Sequence, residues 1–577
     1  MNLKLISHRS KRLSESPTAF LAQNPSVLRN LTAANISATP LDLPPYMYAR
    51  DSAVTLPDGS FLVPFPLDIQ QETTALTYLE AYRGLANFSV PGVVEGGAGC
   101  GKGFEPRRVA AMTTALQAHG YVVRQSSVCI EGGNFAWATN KFGRTYAVVG
   151  ENSVLLSMLA LRQQNRLPNW DTQVLNAEVP EPFHRMARHE ALLELIQTIE
   201  KLMRFFEAFK ALCEPVYPIG LSETSLNLGL MLLERQAPDR AAFGRHEVPY
   251  LLKMRDEIKA TYLYLLSFKE DTDFYRNMRI AIKNLYDEHT DLKTFLELPS
   301  KSDLQKNATH PHHSLHANLT LARNYPDLYI AQEQRAARLY ADYQFTKDKM
   351  AQELGAPVLD VPQIYYHLDL YLAPRQAGTI TLNSTHDTLV FVENLILKRI
   401  QGNRHAELAE LAPYHHHLQK LHLHHQTAER AVRNILETAG FDVISTPGIL
   451  PIPGNETVHI NLQNSVTTLE EKPDGRRVLV WCTQHPGTRD FQAYFETVTR
   501  TRLTQSGFPY PVEFRYLDAQ TSASLRDNNA GVHCETADDP NPPSPQPPAP
   551  KRRALNLSLR QPTLLELPQT QKKVTGC

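Results

Sequence analysis

Three stretches of this chain close a helical pattern in the same way. Leu116-Gln117-Ala118-His119-Gly120-Tyr121 leads into Val122-Val123, and Leu436-Glu437-Thr438-Ala439-Gly440-Phe441 leads into Val443-Ile444. Leu503-Thr504-Gln505-Ser506-Gly507-Phe508 precedes Val512-Glu513-Phe514. In each a leucine packs the last turn, a glycine takes the left-handed cap conformation, and an aromatic residue starts a strand. Recurrence of one helix-to-strand unit predicts a modular α/β fold.

The texture changes between the first copy and the other two. Residues 185–355 read as helices. From Glu190 to Cys213, apolar side chains fall at Leu192, Leu195, Ile196, Ile199, Leu202, Met203, Phe206 and Phe209. Steps of three and four put them on one helical face. Pro249 to Leu266, Phe274 to Tyr286 and Leu328 to Leu354 look similar, the last ending at Gly355. A helical insertion packed on the α/β domain's own core explains this pattern. The expected organisation is 1–165 for the N-terminal part of the α/β domain, 166–355 for the insertion, 356–538 for the C-terminal part and 539–577 for a tail.

Composition narrows the function classes. Hydrophobic residues at 42% and charged residues at 21% fit a soluble globular protein. A net charge of -1 argues against a nucleic-acid surface of the usual basic kind. No apolar run is long enough for a secretory signal or a membrane span, so no membrane partner is expected. The six cysteines form no CxxC pair, which favours a reducing compartment. The expected location is cytoplasmic, or exported without a cleaved signal. The tail carries Pro542, Pro543, Pro545, Pro547, Pro548 and Pro550 before Lys551-Arg552-Arg553 and cannot bury a core. Pro547-Pro548-Ala549-Pro550-Lys551-Arg552 matches PxxPxR, a ligand pattern for an SH3-type partner.

Two motifs carry less than they promise. Gly96-Gly97-Ala98-Gly99-Cys100-Gly101-Lys102-Gly103 resembles a phosphate-binding loop, but Gly103 stands where Ser or Thr would hold magnesium. It reads as a glycine loop bordering a pocket. Histidines cluster at His310, His312, His313 and His316, and again at His415, His416, His417, His422, His424 and His425. Neither cluster has a cysteine or carboxylate framework for zinc, so a solvated helix surface is the expectation.

Four other segments pair reactive side chains with strand ends. Asp51, in Arg50-Asp51-Ser52, lies at a strand or hairpin start before the Asp58-Gly59 turn. Glu131 follows Val128-Cys129-Ile130 and precedes Gly132-Gly133-Asn134, where backbone can approach a ligand closely. His367 and Asp369 are two apart, on one face if extended. Cys534, in Gly531-Val532-His533-Cys534-Glu535-Thr536, follows a turn-forming Asn528-Asn529-Ala530-Gly531. Polar segments at strand ends are suited to converge on one pocket.

In this order the segments resemble the guanidino-group-modifying, or pentein, superfamily of arginine, peptidyl-arginine and agmatine deiminases and amidinotransferases. The pattern runs Arg50-Asp51, Glu131-Gly132-Gly133, His367-Leu368-Asp369 and Cys534. The likeness covers residues 45 to 155 and 360 to 538. His533-Cys534-Glu535-Thr536 is similar to the peptidyl-arginine deiminases, agmatine deiminases and amidinotransferases, whereas Tyr48-Ala49-Arg50-Asp51 and Glu131-Gly132-Gly133-Asn134 are similar to bacterial deiminases. The resemblance implies an α/β propeller of about five ββαβ modules, here with a large helical insertion.

It also implies roles. Asp51 and Asp369 would hold a guanidinium ion through its N–H groups. Cys534 would attack the central carbon as thiolate, and His367 would act as acid and then as base. Glu131 would orient His367 and help hold the cation. No metal or other cofactor is needed for these steps. The implied activity is a deiminase turning the guanidino group of arginine or an arginine derivative, peptidyl-arginine included, into a ureido group. The alternatives are an amidinotransferase, which gives the adduct to an amine, and a non-catalytic binding protein of the same fold.

Overall fold

A computed structural model of the chain describes residues 19–22, 24–43, 50, 52–67, 104–170, 178–215, 217–266, 280, 284, 292–296, 326–365, 367–404, 408–452, 455–527, 533 and 536–538. Asp51, the glycine loop at 96–103, the histidines at 310–316, Cys534 and the proline-rich tail lie outside the described residues.

One connectivity recurs along the chain. β1 (Ala19–Ala22) runs parallel to β2 (Ser37–Pro40), with α1 (Pro25–Ala33) between them. β3 (Val54–Thr55) and β4 (Phe61–Val63) form an antiparallel hairpin. After α2 (Pro106–Ala118), β5 (Val123–Gln125) lies parallel to β4. β6 (Phe135–Thr139) and β7 (Thr145–Gly150) repeat the hairpin. There the crossover is long. It comprises α3 (Glu151–Gln163), α4 (Glu181–Cys213), α5 (Glu223–Gln236), α6 (Pro238–Leu266), the short α7 (Leu292–Leu296) and α8 (Pro326–Leu354). It ends in β8 (Val358–Val361), parallel to β7. β9 (Leu372–Pro374) and β10 (Thr379–Asn383) form the next hairpin. α9 (Thr385–Gln401) and α10 (Leu408–Thr438) then lead to β11 (Asp442–Thr446), parallel to β10. A separate hairpin of β12 (Ile449–Ile452) and β13 (Asn455–Asn461) follows. β14 (Val466–Glu471), β15 (Arg477–Thr483), α11 (Arg489–Gln505) and β16 (Val512–Tyr516) give the unit once more. β17 (Thr536–Asp538), which follows α12 (Ala519–Asp527), pairs antiparallel with β1.

Among the described residues there are thus five three-stranded sheets, each an antiparallel pair whose middle strand also has a parallel neighbour. The parallel partner needs a crossover, and every crossover is helical. The first sheet takes its leading strand, β17, from the far end of the chain, so the module that contains β1 and β2 is completed last.

The helix ends show why the repeat is partly visible in sequence. Gly120, Gly440 and Gly507 have φ of 82°, 88° and 77°. In each cap the aromatic N–H donates to the leucine carbonyl: Tyr121 to Leu116 at 3.1 Å, Phe441 to Leu436 at 3.1 Å and Phe508 to Leu503 at 3.0 Å. A fourth cap has the same bond, Ile36 N–H to the Leu31 carbonyl at 2.8 Å, with Asn35 in the left-handed conformation at φ 56°. Asparagine tolerates that conformation, so the motif survives without its glycine. Gly355, at φ 72°, closes α8.

These caps make a graded prediction. A Cβ at Gly120 or Gly507 would meet nothing within 4 Å, so alanine there pays only the left-handed penalty of about 1–2 kcal/mol. A Cβ at Gly440 would lie 2.6 Å from the Phe142 ring and 3.0 Å from Asn140 Nδ2. Gly440→Ala is therefore expected to destabilise more than Gly120→Ala or Gly507→Ala, as midpoints of urea unfolding will show.

The helical stretch is two things. α3, α8 and the start of α4 share a core with the β6–β7 region, through Leu155, Leu159, Met186, Leu339, Tyr343 and Met350. The rest of α4, with α5, α6 and α7, has its own core of Leu195, Ile199, Phe206, Phe209, Leu251 and Ile258. The apolar face expected on Glu190–Cys213 is buried, with Ile196 partly so. The expectation that Pro249 starts a helix is corrected: it sits inside α6, which starts at Pro238. No helix among the described residues is long and apolar enough to cross a membrane. On α10, His416 and His424 are exposed as expected, but His425 is buried edge-on against Tyr365, with ring centroids 5.1 Å apart.

Candidate active site

The residues just before the first strand of each module meet. Arg50 precedes β3, Glu131 precedes β6, His367 precedes β9, Asn464 precedes β14 and His533 precedes β17. Glu131 and His367 occupy matching positions in their modules. Each is extended and caps a single 3-10 turn, Gly132–Asn134 or Leu368–Leu370, that feeds the hairpin.

Contacts join all five segments. His367 Nε2 lies 3.0 Å from Glu131 Oε1, with the two side chains 4% and 1% exposed. His533 Nδ1 lies 2.8 Å from Asp369 Oδ2, and the His533 N–H donates to Asn464 Oδ1 at 2.8 Å. Asn461 Nδ2 donates to the Leu370 carbonyl at 2.9 Å. Arg50 Nε donates to the Gly132 carbonyl at 3.0 Å. Asn134 ties the centre together. Its Oδ1 accepts from Gln363 Nε2 at 2.6 Å and from the Leu368 N–H at 3.0 Å, and its Nδ2 donates to Glu131 Oε2 at 3.3 Å.

The two glycines after Glu131 are needed for this closeness. A Cβ at Gly132 would lie 2.1 Å from the Arg50 carbonyl oxygen. One at Gly133 would lie 2.4 Å from His367 Nδ1 and 2.7 Å from its Cε1. Neither position can carry a side chain without displacing the Arg50 backbone or the His367 ring. Gly133→Ala is expected to cost about 1–3 kcal/mol by overpacking and to shift the His367 ring resonances in NMR spectra, because the ring must leave Glu131.

Charge in the site is unevenly distributed. Burial alone pushes the Asp369 carboxyl up, but the hydrogen bond and charge of His533, with the charges of His367 and Arg50, outweigh it. The net effect holds Asp369 below its ordinary value, so it is a carboxylate at neutral pH. Its folded-state pKa is depressed, so the stability it contributes is present above the unfolded value and is lost as pH falls through the folded one. Cys129, two residues before Glu131, differs: burial and then the Glu131 charge push its thiol up. Burial also raises Cys213 to about 11 and Cys482 to about 12. These three buried thiols are poor thiolate formers.

Of the residues read from sequence, Glu131, His367 and Asp369 are brought together; Asp51 and Cys534 lie outside the described residues. Arg50, Asn134, Gln363, Asn464 and His533 were not assigned roles. Arg50, Asn134 and His533 stood inside the quoted motifs. Asn464 had only a weaker signal, the polar run Asn461-Leu462-Gln463-Asn464-Ser465 ahead of a strand. Among the described residues no group of three or more His, Cys, Asp or Glu side chains is arranged to hold a metal ion. Comparison of the chain with family models, with curated proteins and with solved structures finds no match.

Chemically, the assembly offers a carboxylate–imidazole pair and a separate ionised carboxylate, both largely shielded from water. Such a site suits binding of a small cation and proton transfer beside it.

Proposed function

We propose that this chain is a guanidino-group hydrolase of the pentein type, converting arginine or an arginine derivative into its ureido counterpart and ammonia. The observation that carries the reading is the meeting of Glu131, His367 and Asp369, read from two separate motifs, at equivalent entrances of repeated ββαβ modules. The five like sheets support a five-module propeller.

A guanidinium ion is planar, delocalised and protonated at neutral pH, so it resists attack in water. The ionised Asp369, with Asp51, accepts its N–H groups and fixes its plane. The Cys534 thiolate bonds to the central carbon, giving a tetrahedral adduct. His367 delivers a proton to one terminal nitrogen, the C–N bond breaks, and ammonia leaves. The remaining amidino-thioether is attacked by water, whose proton His367 takes. Collapse of the second tetrahedral adduct breaks the C–S bond, returns the thiolate, gives the hydroxyl proton to solvent, where the departed ammonia becomes ammonium, and leaves the carbonyl of the ureido group. Glu131, 3.0 Å from His367 Nε2, stabilises the imidazolium in each cycle.

Incubation with arginine, agmatine and an arginine-containing peptide, scored for ureido product, tests the reading. Product from at least one, lost in Cys534→Ala, is expected. A haloacetamidine, which carries the same cationic plane, is expected to label Cys534. No product and no labelling would refute the proposal. Product that appears only with an added amine acceptor would instead assign amidino transfer.

A further inference from the structure

His533 already occupies the carboxylate that the proposed substrate needs. Its side chain is 19% exposed, and Nδ1 stands 2.8 Å from Oδ2 of the 4%-exposed Asp369. Its N–H is anchored on Asn464 Oδ1 at 2.8 Å, so the imidazole is delivered from a fixed backbone point. Among the described residues, the charged groups acting on Asp369 beside His533 are His367 and Arg50, with Glu131 beyond His367. Among the described residues Asp369 therefore faces three groups that are or become cationic, His533, His367 and Arg50, before any ligand arrives.

A bound guanidinium would be one more cation on the same carboxylate. Imidazole and guanidinium would compete for Oδ2, and a protonated imidazole would also repel the ligand. We propose that His533 is a proton-dependent competitor for the carboxylate that binds substrate. Its imidazolium holds Asp369 in the empty site, and a guanidino ligand binds by displacing it with loss of the His533 proton. The inference rests on the functional reading above and adds a sign to it. Ligand affinity rises with pH through the titration of His533, because the competitor is then neutral. With His533 on it, Asp369 is held below its ordinary value, so the dependence is assigned to the imidazole and not to the carboxyl. By linkage, a proton taken up at low pH and a ligand bound to the same carboxylate oppose each other equally.

The test uses full-length Cys534→Ala protein, so that binding is read without turnover. Agmatine, arginine and N-acetyl-arginine amide are titrated calorimetrically from pH 5.5 to 8, in buffers of different ionisation heat. Below the pKa of His533 the affinity is expected to fall by up to about tenfold per pH unit, with up to about one proton released per ligand bound. Adding His533→Asn is expected to flatten the profile, abolish proton release and tighten binding at pH 5.5. His533→Gln provides a second variant with the same expectation. Weaker binding in both variants at every pH would overturn the inference and make His533 a support for Asp369. An unchanged pH profile would overturn it too. Either result leaves the guanidino reading standing, whereas failure of all three probes to bind, with no haloacetamidine labelling of the wild-type chain, would overturn both.

Discussion

Exchanging His367 for glutamine is expected to lower turnover about 10²–10⁴-fold, the usual contribution of a positioned acid–base group. The fold should survive. Glutamine has a comparable reach, and its amide can donate to Glu131 where His367 Nε2 now stands 3.0 Å away. What it cannot do is give a proton to a departing nitrogen and then take one from water. Two features make this site sensitive. The His367 ring is packed against Gly133, where even a Cβ would approach within 2.4 Å, so no other group can move in to replace it. Its partner Glu131 is 1% exposed, so solvent does not supply the missing proton path. Circular dichroism and a thermal melt separate loss of chemistry from loss of structure. Retention of most activity would remove His367 from the mechanism.

The second large effect is on stability. Trp481→Ala is expected to cost about 4–5 kcal/mol, at the upper end for a buried aromatic. Trp481 is fully buried, with Phe495 and Phe514 at centroid distances of 5.7 and 5.5 Å. Its Nε1 donates to the Leu462 carbonyl at 3.2 Å, and the Arg375 guanidinium lies 3.5 Å from the ring centroid. Arg375 is 7% exposed, and burial lowers its pKa well below the usual value. Its side-chain hydrogen bonds go to neutral hydroxyls, Thr381 at 2.9 Å and Ser465 at 3.1 Å. The indole face is thus a main electrostatic support of a buried cation, a contact worth about 2 kcal/mol when desolvated. Trp481→Phe keeps the face and should recover most of the loss. Because Leu462 and Ser465 flank the segment carrying Asn464, the alanine variant should also loosen the anchor of His533. Urea unfolding of the two variants checks the ranking; equal stabilities would contradict it.

The modular fold was legible where a whole signal fell in one short stretch. A leucine, a glycine and an aromatic in six residues record a helix end and a strand start together. Leu31 to Ile36 makes the same hydrogen bond with asparagine and isoleucine, and so escaped notice. The β3–β4 hairpin was legible at its Asp58-Gly59 turn, whereas a strand as short as Leu372–Pro374 has no room for a period-two pattern. The pairing of β17 with β1 joins opposite ends of the chain, and no local feature encodes it.

The candidate site divides in the same way. Glu131, His367 and Asp369 announced themselves because carboxylates and imidazoles beside glycines and strand ends are chemically conspicuous. Asn464 did not, since a neutral amide in a polar loop looks like any turn residue until His533 is seen on it. The contact between His533 and Asp369 spans 164 positions, and only the module arrangement brings them together.

The proposed chemistry turns on a covalent amidino adduct between Cys534 and a guanidino substrate. Acid-quenched turnover mixtures, digested and examined by mass spectrometry, test it directly. The expected result is a substrate-dependent mass increase on the peptide containing Cys534, absent in Cys534→Ala, with Cys129, Cys213 and Cys482 unmodified. Ureido product formed without any such adduct, or an adduct on one of the three buried cysteines, would contradict it.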